Sequence, residues 1–164
     1  MVHPSVRLIG SLVLAGSALL APSASAQMPN PYGASITGEN AKKVAAAALA
    51  EARKNGWNMA AAVVDPAGDL VYFEKLDGTQ AASVVIAVDK ARSSARFKRP
   101  TKALQDALAA GGEGLRILAL QGAVPVDGGV PIVMDGKIVG AIGLSGGTSQ
   151  QDGVAANAGV VAVK

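Results

Sequence analysis

The spacing of apolar and polar positions divides most of the chain into short elements. Val44, Ala45, Ala48, Leu49 and Ala52 share one face of a 3.6-residue period, while Lys42, Lys43, Arg53 and Lys54 lie mostly elsewhere. That pattern predicts an amphipathic helix over 37–55, with Thr37 as its cap and Gly56 as its stop. Apolar runs over 59–64 and 70–73 flank Asp65-Pro66-Ala67-Gly68, whose turn chemistry predicts a β-hairpin. After Asp77-Gly78-Thr79, the positions Ala81, Val84, Val85, Val88, Ala91 and Ala95 recur with helical spacing and predict a second helix over 81–97. Pro100 halts that helix, and Thr101 caps a short third one ending near Gly111-Gly112.

The last third reads as sheet. A strand is expected over 115–119, and an irregular or edge segment over 122–126, which contains Pro125. Apolar runs over 131–134 and 137–144 enclose Asp135-Gly136, a two-residue loop that strongly signals a hairpin. A final helix is expected over 150–163. The order αββααβββα, joined by hairpins, predicts an α+β domain with a largely antiparallel sheet and helices packed on it.

The chain before residue 37 has a different character. His3 and Arg7 form a short basic start, followed over 8–21 by an apolar and small-residue run of 14 residues. That run is short for a bilayer span of ~20 residues. Ala24-Ser25-Ala26 supplies a small-x-small cleavage site, so residues 1–26 are expected to be a secretory signal peptide. The segment 27–36, rich in Pro, Gly and Asn, is expected to be an extended or mobile start of the mature chain, and 37–164 the single folded domain.

Export changes the available chemistry. The one histidine, His3, leaves with the leader, and the chain has no cysteine. Zinc sites built from Cys and His, blue-copper sites and disulfides are thereby excluded from the mature protein. Its charge is nearly balanced, with fourteen Lys and Arg against twelve Asp and Glu. Aromatic residues make up only 3% of the chain, so neither field nor stacking surface points to nucleic acid. Alanine, valine and glycine dominate, which implies close approach of helices to sheet.

Two stretches carry candidate chemistry. Gly143-Leu144-Ser145-Gly146-Gly147 matches the G-x-S-x-G elbow of serine hydrolases, but no mature histidine exists to serve as its base. Read instead as a turn into a helix, Ser145, Gly146, Gly147 and Thr148 either cap that helix or offer N–H groups to an anion. The second stretch places Lys90, Arg92, Arg96, Lys98, Arg99 and Lys102 close together, with Phe97 among them. It is either a solvated basic face or a patch for an anionic group.

Three segments together resemble one family. They are Asp77-Gly78 with the helix containing Ser83, Lys90-Ala91, Ser94-Ala95, Phe97 and Arg99-Pro100-Thr101; then Gly128-Gly129-Val130-Pro131-Ile132; and then Gly140-Ala141-Ile142-Gly143-Leu144-Ser145-Gly146-Gly147-Thr148 with Gln151-Asp152. In this the chain is similar to the GlcG/HbpS haem-binding family, which includes the C-terminal domain of PduO-type corrinoid adenosyltransferases. The resemblance implies a profilin-like fold with a five-stranded antiparallel sheet flanked by helices, and homo-oligomers. It implies haem or a related small anion as ligand, with roles in haem uptake, haem degradation or redox sensing beside a membrane sensor or transporter. On that model Lys90, Phe97, Arg99 and Thr101 line one wall, and Gly128, Gly129, Pro131 and Ser145, Gly146, Gly147, Thr148 form the opposing turns.

Two departures stand out. Without histidine, replacement iron ligands are Tyr32, Tyr72, Met59, Met134 or a neutral Lys90. Gly153 also falls within the first turn of the last helix, where a stronger helix former is expected. A periplasmic isomerase, lyase or hydrolase using Lys90 as base, and a non-catalytic accessory subunit of a catabolic pathway, stay open beside the haem reading.

Overall fold

Thr37 caps the first helix as its residue type predicts, its Oγ1 accepting from the Asn40 N–H at 3.3 Å. In the computed structural model, which describes residues 30–163, this helix, α1, spans Gly38–Lys54. It buries Ala41, Val44, Ala45, Ala48, Leu49 and Ala52. Strands β1 (Ala60–Val64) and β2 (Leu70–Lys75) follow as the expected hairpin. Next come α2 (Ser83–Phe97), α3 (Thr101–Ala109), a 3-10 helix (Gly112–Ala119), β3 (Gly129–Met134), β4 (Lys137–Ser145) and α4 (Ser149–Val161). Asp135 and Gly136 both take positive φ, as a two-residue loop between β3 and β4 requires.

The sheet has four strands in the order β2-β1-β4-β3, and all its pairings are antiparallel. All five residues of the central β1 are buried, because helices cover both faces. On one face Ala61, Val63, Val130, Ile132, Ile142 and Leu144 pack against α1 and against Ala155, Ala156 and Val160 of α4. On the other, Ala60, Ala62, Val64 and Ala141 meet Ala87, Ala91 and Ala95 of α2. This second interface is built almost wholly of alanine, so α2 lies very close to the sheet. A Cβ added at Gly143 would stand 2.1 Å from the Ala87 carbonyl oxygen.

The sheet therefore differs from the five strands expected. Residues 115–119 form part of the 3-10 helix instead of a strand, and no residue of that helix is buried. Gly111 and Gly112 turn the chain with positive φ, and Gly114 then abuts the Ala107 carbonyl, which folds the segment back on α3. Leu115 and Leu118 thus match a helical spacing of three that a short apolar run does not distinguish from a strand.

The inner face of α2 also differs from the valine-based expectation. Val84 and Val85 are exposed, whereas Ser83, Ala87, Lys90, Ala91, Ser94 and Ala95 are buried. Close approach to the sheet selects small side chains and turns the valines outward. From Asn30 onward the N-terminal segment is extended: the Gly33 N–H donates to the Ile138 carbonyl at 2.9 Å, and the Ile138 N–H to the Pro31 carbonyl at 2.8 Å. The expected signal peptide lies outside the described residues.

Gly143→Ala forces a methyl into the α2 backbone, and overpacking of this kind costs about 1–3 kcal/mol or more. Urea unfolding of the variant should show that loss with an unchanged m-value.

Candidate functional site: a buried ion pair and an apolar groove

The G-x-S-x-G stretch leaves β4 through Gly146, at φ 151°, and enters α4 at Thr148. A Cβ at Gly146 would lie 2.1 Å from the Asn58 carbonyl, so glycine permits this turn to press against the start of β1. Thr148 and Gln151 form a capping box: Gln151 Oε1 accepts from the Thr148 N–H at 2.9 Å, and Thr148 Oγ1 from the Gln151 N–H at 3.3 Å. The Gly147 N–H donates to Asp152 Oδ1 at 3.0 Å. The Gly147, Thr148 and Gln151 N–H groups thus have partners within the chain, and the carboxylate that the Gly147 N–H holds is that of Asp152.

Asp152 is also the partner of Lys90. Nζ of Lys90 donates to Asp152 Oδ2 at 2.7 Å and to the Leu144 carbonyl at 3.2 Å, with the two residues only 1% and 2% exposed. The same node gathers most of the residues singled out in the sequence. Gly128, at φ 122°, would bring a Cβ within 2.9 Å of Lys90 Nζ and 2.7 Å of the Asp152 side chain, and its carbonyl accepts from the Leu144 N–H. Gly129 donates its N–H to Oγ1 of the buried Thr101 at 2.9 Å. The Ser145 hydroxyl, also buried, donates to Ser83 Oγ at 3.1 Å.

Lys90, Thr101, Gly128, Gly129 and the turn 145–148 therefore converge where α2, α3, β3, β4 and α4 meet. Phe97, Arg99 and Pro131 do not join this hydrogen-bond network. Phe97 is half-buried at the end of α2, and the exposed Arg99 donates its Nε to the Phe97 carbonyl.

In the sequence Ser83 and Asp152 stand only within the family-like segments, and neither they nor Asp127 is marked as part of a site. The available signal was Gly153, unexpected in a helix. A Cβ there would meet the Asp127 carboxylate at 2.3 Å, so glycine makes room for Asp127 beside the ion pair. Burial, the largest influence, pushes the Asp152 carboxyl above its ordinary value. The hydrogen bond and charge of Lys90 and the Gly147 N–H pull it down, and the Asp127 charge adds to the rise.

A second feature lies along the sheet edge. A groove of about 770 Å³ wraps β3, lined by Val130, Pro131, Val133 and Met134 on the strand, with Asn157, Val160 and Val163 from the α4 side. Pro100, Asn30 and Asp135 complete it, and its walls are mainly apolar. A register shift between Ile132 and Val133 bends the strand here, and Pro131 lacks the N–H that an edge strand would otherwise present.

Of the five candidate iron ligands, Met134 alone lines this groove. Met59 is fully buried, Lys90 is engaged by Asp152, and the Tyr32 hydroxyl donates to the Ala95 carbonyl at 2.9 Å. The Tyr72 hydroxyl is bonded to Glu74. No group of three His, Cys, Asp or Glu side chains suited to a bare metal ion occurs among the described residues.

Lys90→Met leaves the Asp152 carboxylate buried without its cation, a change that typically costs about 3–5 kcal/mol. In that variant the folded-state pKa of Asp152 rises further above the unfolded value. Its protonation therefore favours the folded state as pH falls, and the stability deficit should shrink from pH 7 toward the carboxylate range. Urea unfolding of the variant and the parent chain across that range measures the difference.

Comparison with known proteins places this architecture. The family model described as haem degrading protein HbpS-like matches residues 36–161. Protein GlcG of Escherichia coli K12 is 33% identical over 110 residues, covering 67% of this chain and 81% of GlcG. A 15.0 kDa protein of Citrobacter freundii, from the dhaT-dhaS intergenic region, is 34% identical over 73% of this chain and 85% of its own length. Among solved structures, a double mutant of HbpS from Streptomyces reticuli superposes with a TM-score of 0.74 at 29% identity, covering 88% of this chain and 97% of that one. A haem complex of PduOC shares the fold, with a TM-score of 0.71 at 23% identity over 79% and 96% of the two chains. The match of that family model over most of the chain, together with relatives at 33% and 34% identity, shows that the chain belongs to the HbpS-like family.

Proposed function

We propose that this chain is an exported binding protein for haem or a related planar, anionic small molecule, and that the groove along β3 receives it. The observation that carries this reading is the coincidence of an apolar groove of about 770 Å³ with a thioether, Met134, in its lining. Ligand pockets of this kind typically run from roughly 300 to 1,000 Å³.

The residues present fit a haem group. Val130, Pro131, Val133 and Val160 would offer an apolar surface for a macrocycle, and Met134 would offer a thioether sulfur, a group able to ligate haem iron. Arg99 stands next to Pro100 of the lining and is exposed, so its guanidinium suits a propionate. The haem would supply iron-centred redox or sensing chemistry. Membership of a family described by haem degradation, and a haem-bound structural neighbour, support the ligand class.

In this reading the Lys90–Asp152 node holds the groove's supporting elements instead of touching the ligand. Thr101, Gly128, Gly129 and residues 145–148 act with it, while Pro131 and Arg99 belong to the groove and its rim. Phe97 contributes an apolar surface beside Arg99. The alternative enzyme reading with Lys90 as base is disfavoured, because its ammonium is buried and engaged by a carboxylate and a carbonyl. A homo-oligomer and a membrane sensor or transporter partner complete the proposal.

Haemin titration of the purified chain should give a saturating Soret band. Met134→Leu should remove the thioether-to-iron charge-transfer signature, and Arg99→Gln should weaken binding by about threefold to tenfold, the range expected for one exposed charge-assisted contact. Absence of any spectral change with micromolar haem would overturn the reading. Protein recovered from the cell envelope should begin at Gln27 on N-terminal sequencing; retention of the leader would refute processed export.

A further inference from the structure

The basic stretch following Asp89 does not act as one patch. Lys90 is buried against Asp152, Lys98 lies over the Tyr32 ring at 4.1 Å from its centroid, and Lys102 pairs with Asp106. Arg92 and Arg96, one helical turn apart on α2, have a different arrangement. Arg92 Nε donates to the Gly68 carbonyl at 3.1 Å, and Arg96 Nε to the Ala67 carbonyl at 2.8 Å.

Both carbonyls belong to a rigid turn. Asp65 Oδ1 accepts from the N–H groups of Gly68 and Asp69, each at 2.9 Å. Gly68, at φ 94°, leaves the space that a Cβ would take from the Arg96 guanidinium, 2.7 Å away. Each arginine is thus fixed through Nε, and among the described residues neither has a carboxylate partner. Both arginines line a polar depression of about 570 Å³, together with Asp89, Gln121, Gly122 and Val124. The far wall is also anchored, since the Val124 N–H donates to Ser93 Oγ at 3.0 Å.

We propose that this depression is a second ligand site, distinct from the β3 groove, that binds the oxyanion of a small molecule, either a carboxylate or a phosphate. Two guanidiniums held in place lose little side-chain freedom on binding, and their planar forks match an oxyanion's paired oxygens. A helix C-terminus would favour the same cations without a ligand, but that role needs neither the tethered Nε atoms nor the walled depression. Asp89 tempers the site: with both arginines it leaves one net positive charge, which weakens binding of a bare anion.

Two-dimensional amide NMR of the full chain at low ionic strength, titrated separately with inorganic phosphate and with succinate, tests this. Saturable shifts are expected at residues 89–96 and 121–124; the probe giving the tighter curve identifies the oxyanion class. Combined Arg92→Gln and Arg96→Gln should weaken that curve by about tenfold or more, as loss of charge-assisted bidentate contacts implies. Asp89→Asn retains both tethers and should tighten it by roughly threefold through removal of the like charge. No saturable shift with either probe, undiminished binding in the double variant, or unchanged affinity in Asp89→Asn would each overturn the proposal.

Discussion

The contact between Lys90 and Asp152 organises this molecule. It joins the middle of α2 to the first turn of α4, and through the Leu144 carbonyl it reaches the end of β4. A buried ion pair contributes little net stability over a well-packed apolar alternative, because desolvation of both charges opposes their attraction. What it imposes is geometry: either partner alone is a costly buried charge, so α2 and α4 must meet in one register. The glycines around it follow from that requirement. A side chain at Gly128 would collide with Lys90 and Asp152, one at Gly153 with Asp127, and one at Gly147 with Gln151 of the capping box.

A second constraint, the closeness of α2 to the sheet, follows from alanine and glycine content. With Ala87, Ala91 and Ala95 against Ala60, Ala62, Val64 and Ala141, this interface has little room for larger side chains. Larger apolar residues are displaced to the α1–α4 face and to the surface, where Val85, Leu118 and Val161 are exposed. The closely packed half of the domain thus supports a perimeter comprising the β3 edge, the 3-10 helix and the turn before β2. The apolar groove and the arginine-lined depression both lie at the surface, so the two proposed ligand sites leave the core undisturbed.

Much of the fold was legible in local pattern. The Thr37 cap, the Asp135-Gly136 loop and the periodicity of α1 each depend on a few neighbouring residues, and each appears where expected. Residues 115–119 misled because Leu115 and Leu118 suit a helix turn as well as a short strand. The decision was made by Gly111, Gly112 and Gly114 folding the chain onto α3. The candidate site was legible in part of its membership but not in its roles. Lys90 and the glycine turn were singled out as a ligand wall, yet they face each other within the protein. The decisive residue, Asp152, is 62 positions from Lys90.

From the sequence alone came the α+β class, the hairpins, the absence of histidine and cysteine beyond His3, and the family resemblance. These are properties of composition and short-range spacing, for which backbone sterics and periodic burial suffice. Tertiary structure decided which face of α2 turns inward, whether the turn at 145–148 offers its N–H groups outward, and which methionine borders a groove. Each of those answers depends on what the other side of an interface presents. A lysine on a helix is a surface cation until a distant carboxylate and close packing of small residues enclose it.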